Sequence, residues 1–192
     1  KTIILIGLFT NSHLWGQFES PVTLSAKAES SVRAGEVVNI IVKAEMDAEW
    51  KIYALRDQGE GPIATRGVVT GEIIEASGLV WEDEPVEKYD DGFLTTTRTH
   101  QGGAIFKAPI LVKSDLSPGK YNLSVNVLFQ VCNASLCYPP KEEVLTTTVT
   151  VEGGTVRDDR TEMVLVTEVF DDFGNINLDA AIDEGFFSFV IL

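Results

Sequence analysis

The sequence predicts an all-β domain, a two-sheet sandwich of immunoglobulin type, and three observations carry that prediction. Short runs with a side-chain period of two recur along most of the chain. Turn-forming clusters containing Gly, Pro and Ser separate them at short intervals. No helix of consequence is expected before about Leu178. The 192 residues hold one domain of about 120 to 150 residues plus flanking segments.

From the N-terminus, Lys1 and the apolar run 2–9 read as a secretory signal, with residues 1–16 assigned to it and cleavage expected near Gly16. A buried N-terminal strand is the competing reading. Eight apolar residues are too few to span a bilayer, and no cysteine follows for lipid attachment. Export places the domain, residues 20–152, where disulfides persist.

Strands are expected at 22–28, 36–44, 50–55, 68–74, 79–81, 104–110, 121–132 and 144–151. The intervening turns are Arg33-Ala-Gly35, Gln58-Gly-Glu-Gly-Pro62, Ala76-Ser-Gly78, Gln101-Gly-Gly103 and Ser117-Pro-Gly119. Residues 82–103 are polar and Gly-containing with no clear strand period, so a long loop is expected there, and long loops in compact domains tend to be functional.

Both cysteines lie between the last two strands, in Phe129-Gln-Val-Cys132-Asn-Ala-Ser-Leu-Cys137-Tyr-Pro-Pro140. The four-residue loop 133–136 sets them opposite each other at a hairpin tip. Opposed residues in an antiparallel pair have Cα atoms roughly 4.5 to 5.5 Å apart, within a disulfide's range. The alternation from Tyr121 to Val131 points odd positions inward, so Cys132 is expected on the more polar face with Asn122, Ser124, Asn126 and Gln130. A β-bulge near the loop would reverse that placement. On spacing alone a structural disulfide is the commoner outcome in an exported β-domain. A bond closing so short a loop contributes little to folding, however, which favours a redox couple.

Other chemistries find little support. A net charge of -14 argues against nucleic acid as a partner. Two histidines, His13 and His100, and no Cys-x-x-Cys pair make no metal site, and no cofactor is expected. No Gly-x-Ser-x-Gly elbow is present, and His100 alone completes no triad. Ten Asp/Glu against two Arg between Glu152 and Glu184 mark 153–184 as an acidic linker. The apolar run 185–192 is read as the opening of a truncated transmembrane helix, a membrane tether through the C-terminal continuation.

Phe129-Gln-Val-Cys132-Asn and Cys137-Tyr-Pro-Pro140 resemble the cysteine motif of the N-terminal periplasmic domains of DsbD, the transmembrane thiol:disulfide interchange protein. Trp50-Lys-Ile-Tyr53 followed by Gly61-Pro-Ile63 resembles an earlier stretch of that family, and Glu184-Gly-Phe-Phe-Ser-Phe-Val its approach to the first membrane helix. The resemblance spans roughly residues 20 to 192 and implies an immunoglobulin-like fold and protein-disulfide reductase activity. It implies electrons received from a thioredoxin-like domain of the same or a related membrane protein, and passed to periplasmic thioredoxin-fold proteins serving disulfide isomerisation and cytochrome c maturation. By the family's pattern Cys137 forms the mixed disulfides and Cys132 resolves them. A cap loop is also implied, placed at Tyr89-Asp-Asp-Gly-Phe93, with Phe93 as the shielding ring and Asp90 and Asp91 raising a thiol pKa. The loop between the cysteines is four residues here and five in well-known members. The alternative class is a non-catalytic, membrane-tethered β-sandwich binding domain with a structural disulfide.

Overall fold

A computed structural model describes residues 20–55 and 61–163, with the short strands Val169–Phe170 and Ile176–Asn177. The expected signal at 1–16, most of the turn at 58–62 and the apolar run at 185–192 lie outside the described residues. Among the described residues no helix is long and apolar enough to cross a membrane.

The architecture is an immunoglobulin-like β-sandwich. One sheet runs β1 (Val22–Ala28), β3 (Val37–Met46), β10 (Gly103–Val112) and β6 (Ile74–Ser77), with β7 (Trp81–Glu82) also pairing β10. The facing sheet runs β2 (Val32–Arg33), β13 (Lys141–Glu152), β11 (Gly119–Phe129) and β5 (Arg66–Thr70). Alternation decides the facing: Val38, Ile40, Val42 and Ala44 from β3 and Phe106, Ala108 and Ile110 from β10 meet Leu123, Val125, Val127 and Phe129 from β11. These strands were legible because every second residue is apolar over eight or more positions.

A third sheet was not anticipated. It runs β12 (Val131–Cys132), β4 (Lys51–Tyr53), β9 (Thr95–Gln101) and β8 (Val86–Asp90). The expected loop at 82–103 therefore contains a hairpin, β8–β9, in full register from Val86↔Thr99 to Asp90↔Thr95. It escaped a search for apolar alternation because β9 buries Thr97, Thr99 and His100, while β8 is an exposed edge strand.

The expected strand at 68–74 also divides. β5 ends at Thr70 in one sheet and β6 begins at Ile74 in the other, with Gly71 at the crossing. A Cβ at Gly71 would clash with Leu123 Cδ2. Leu123 is buried, so Gly71→Ala forces a core side chain to move. We expect that variant to lose about 1–3 kcal/mol in urea unfolding; an unchanged midpoint would show that the crossing relaxes freely.

Residues beyond β13 are docked on the domain. Arg33 Nη1 donates to the Thr155 carbonyl at 2.8 Å, and Arg160 Nη1 to Ser30 Oγ at 2.9 Å. Between them Arg157 reaches Glu36, which is fully buried. Glu36 Oε1 accepts from Arg157 N and Nε, each at 2.8 Å, and Oε2 from Arg157 Nη2 at 2.5 Å and Arg33 N at 2.9 Å. The Arg157 hydrogen bond, outweighing burial and helped by both backbone N–H groups, holds the Glu36 carboxyl down at about 2.

Candidate functional site

Cys132 and Cys137 form a disulfide with Cα atoms 4.1 Å apart, and the two residues make an antiparallel bridge. The loop between them is held by Asn133, as its composition suggests. Asn133 Oδ1 accepts from Ser135 N and Leu136 N, each at 2.8 Å, and Asn133 N donates to the Leu136 carbonyl at 2.9 Å.

Cys132 does not lie on the open polar face. The strand breaks at Gln130: Phe129 ends β11 in the facing sheet, and Val131 and Cys132 pair with Ile52 and Lys51 in the third sheet. The alternation consequently does not carry through, and Val131 and Cys132 are both buried, Cys132 at 1% exposure. Gln130 secures the break, with Oε1 accepting from Ile63 N at 2.9 Å and Nε2 donating to the Tyr138 carbonyl at 3.3 Å. Cys137 is exposed. One disulfide thus joins a buried sulfur-bearing residue to an exposed one.

The second stretch singled out by sequence meets the first here. The Trp50 and Tyr138 rings stack at 5.2 Å between centroids and 11° between planes, bracing the residue next to Cys137. Lys51 sits directly across from Cys132, and Tyr53 lies on the same face of β4 two residues on.

The expected cap residues lie at the far end of the β8–β9 hairpin. Asp90 closes β8, residues 91–94 form the turn, and Leu94 takes a left-handed φ of 56°. Phe93 and the buried Tyr53 ring make a T-shaped contact, with centroids 6.2 Å apart and planes at 86°. Asp91 is exposed in the turn. Asp90 is different: its Oδ2 accepts from Lys51 Nζ at 2.6 Å and its Oδ1 from Gly92 N at 2.9 Å. Burial pushes the Asp90 carboxyl up, but the Lys51 hydrogen bond and charge and the Gly92 and Phe93 N–H groups outweigh it, leaving it below its ordinary value. Lys51 Nζ also lies 5.5 Å from the Tyr53 ring centroid. The Tyr53 hydroxyl is buried and makes no well-formed hydrogen bond, although Asp90 is within electrostatic reach. Burial first, and Asp90 second, push that phenol above its ordinary value.

Sequence reasoning missed Lys51 as a site residue. The strand expected at 50–55 contains β4, and the alternation of Lys51 and Tyr53 was the available signal, but a three-residue strand does not by itself tell which neighbour its face meets. His100 lies on the opposite face, its Nε2 3.0 Å from Glu82 Oε2 and its ring edge-on to Phe106. Among the described residues no group of three or more His, Cys, Asp or Glu is arranged to hold a metal ion.

The family model described as "Thiol:disulfide interchange protein DsbD, N-terminal" matches residues 19–149. Among solved structures, the chain is similar to the reduced form of the DsbD N-terminal domain of Neisseria meningitidis, at 18% identity, 65% coverage of this chain, 82% of that one and a TM-score of 0.38. It is similar to the N-terminal periplasmic domain of ScsB from Proteus mirabilis, at 20% identity, 65% and 44% coverage and a TM-score of 0.44. It is also similar to a structure of the complex between the DsbD and PilB N-terminal domains from Neisseria meningitidis, at 17% identity, 68% and 84% coverage and a TM-score of 0.41. No curated protein matches the chain.

Proposed function

The chain belongs to the family of DsbD N-terminal domains, thiol–disulfide exchange modules, and from that premise we propose that Cys132 and Cys137 are its redox couple and relay electrons in the periplasm. The observation that carries this reading is the unequal burial of the two cysteines. A thiolate on a partner needs an in-line approach to one sulfur, and Cys137 is the exposed residue. Attack there forms a mixed disulfide at Cys137 and releases the buried Cys132 as thiolate. In the donor's direction, the donor's second thiol then resolves the mixed disulfide and leaves the domain as a dithiol. In the acceptor's direction, Cys137 attacks the partner disulfide and Cys132 displaces the reduced partner, so each full transfer moves two electrons.

The donor is a thioredoxin-like domain of the same or a related membrane protein. The acceptors are periplasmic thioredoxin-fold proteins that serve disulfide isomerisation and cytochrome c maturation. The domain works outside the cytoplasm, exported and tethered to the inner membrane through its C-terminal continuation. The binding-domain alternative requires the disulfide to act as a staple, and a bond across four intervening residues removes little chain entropy.

Equilibration in glutathione buffers, read as the mass shift of the thiol-alkylated domain, tests the assignment. A potential well above about -300 mV marks an exchangeable couple, whereas one far below marks a structural bond and overturns the reading. Phe93 is assigned to shielding through its T-shaped contact with Tyr53. Phe93→Ala is accordingly expected to speed alkylation of the reduced domain by iodoacetamide several-fold, with its unfolding midpoint little changed. Equal alkylation rates would remove Phe93 from the shield.

A further inference from the structure

Opening the disulfide at Cys137 leaves a negative charge on Cys132, and Cys132 is buried at 1% exposure. A buried thiolate without compensation is a poor leaving group, because desolvation raises its pKa and a less acidic thiol departs more slowly. Strand register gives the residues that share the face of Cys132 in the third sheet. On β4, Lys51 stands directly across from Cys132 and Tyr53 follows on the same face. On β9 that face carries Thr95, Thr97, Thr99 and Gln101, and on β8 it carries Val86, Lys88 and Asp90. Lys88 is exposed and three strands from β12. The cationic residue paired directly with Cys132 on this face is therefore Lys51, whose side chain is only 20% exposed and whose Nζ is held by Asp90 Oδ2 at 2.6 Å.

We propose that Lys51 is the charge-compensating neighbour of the Cys132 thiolate, and that Asp90 competes with that thiolate for its ammonium. The attacking partner thiolate forms a bond to Cys137 Sγ, the Cys132–Cys137 bond breaks, and the electron pair stays on Cys132 Sγ. Lys51, already on that face, lowers the cost of the new charge by sharing its ammonium between Asp90 and the sulfur. Asp90 thereby sets how much of the lysine is available, while its carboxylate keeps Lys51 satisfied in the oxidised state, when no thiolate is present.

This inference rests on the exchange reading above, and thiolate titration separates the two. Absorbance of the Cys132 thiolate is followed against pH in the full chain carrying Cys137→Ser, alone and combined with Lys51→Met, Lys51→Arg or Asp90→Asn. Lys51→Met is expected to raise the Cys132 pKa by about 1 or more. Lys51→Arg should leave it close to the parent, and Asp90→Asn should lower it by freeing the ammonium. A general loosening of the site would move the Met and Asn variants the same way, so opposite signs exclude that explanation. An unchanged pKa in Lys51→Met, shifts of the same sign in the Met and Asn variants, or an arginine that behaves as methionine would overturn the proposal. The titration reads a charge on Cys132 whether or not the couple exchanges with partners, and the glutathione equilibrium reads exchange whether or not Lys51 matters.

Discussion

A Cys132→Ala variant is expected to capture a thioredoxin-fold partner as a stable covalent adduct, and a Cys137→Ala variant is not. The partner for this experiment retains one redox cysteine, activated as its thionitrobenzoate disulfide, so that release of the chromophore times the reaction. In Cys132→Ala the remaining thiol belongs to the exposed residue at the end of the Asn133-braced loop, and nothing is left to resolve the product. In Cys137→Ala the remaining thiol is buried beside β4. Access and thiolate fraction both count against it, and a rate difference on the order of a hundredfold is expected. Adduct formation at equal rates by both variants would mean that the two sulfurs are interchangeable, and the assignment of roles would fall.

The second large effect concerns stability rather than exchange. Glu36 is fully buried and all its nearby donors converge on it: three from Arg157 and one from the Arg33 backbone. Because the folded pKa is depressed, from the usual 4.5 to about 2, the unfolded chain binds the proton first as pH falls. The stabilisation is complete above about pH 5 and disappears as pH drops towards 2, and it amounts to about 3 kcal/mol at neutral pH. Glu36→Gln should lose on the order of 2–3 kcal/mol at pH 7, since an amide sets N–H donors against the guanidinium at a fully buried position. Urea unfolding at pH 7 and at pH 3 gives both readings. The wild-type and variant curves should converge at the lower pH, and parallel curves would show that another group carries the acid sensitivity.

These two sites differ in how far the sequence revealed them. The cysteine pair was visible in its spacing and in the flanking strands, because β11 and β13 alternate over eleven and twelve residues. The burial of Cys132 was not visible. Alternation predicts a side chain's face only while the strand remains in one sheet, and at Gln130 the chain changes sheets. β4 falls within the strand expected at 50–55, but its membership of a third sheet was hidden for related reasons. β12 is two residues long, and β9 fills its interior with threonine and histidine rather than aliphatic side chains. Asp90 was singled out from the sequence, but its partner Lys51 was not. An ion pair between residues 39 apart depends on strand order, which no local pattern contains. Glu36 reads as an ordinary charged residue beside a turn until Arg157, 121 positions later, is brought to it.

The docked segment after β13 has a geometric consequence for the cysteines. Arg157 is fixed beside Glu36 and Arg33, at the end of the sandwich where β11 begins. Cys132 lies just past the other end of β11, whose eleven residues span about 35 Å as an extended strand. The body of the sandwich therefore acts as a spacer, with the docked segment at one pole and the disulfide at the other. A partner thiol that engages Cys137 approaches the pole opposite Arg157, so its docking leaves the Glu36–Arg157 contacts untouched.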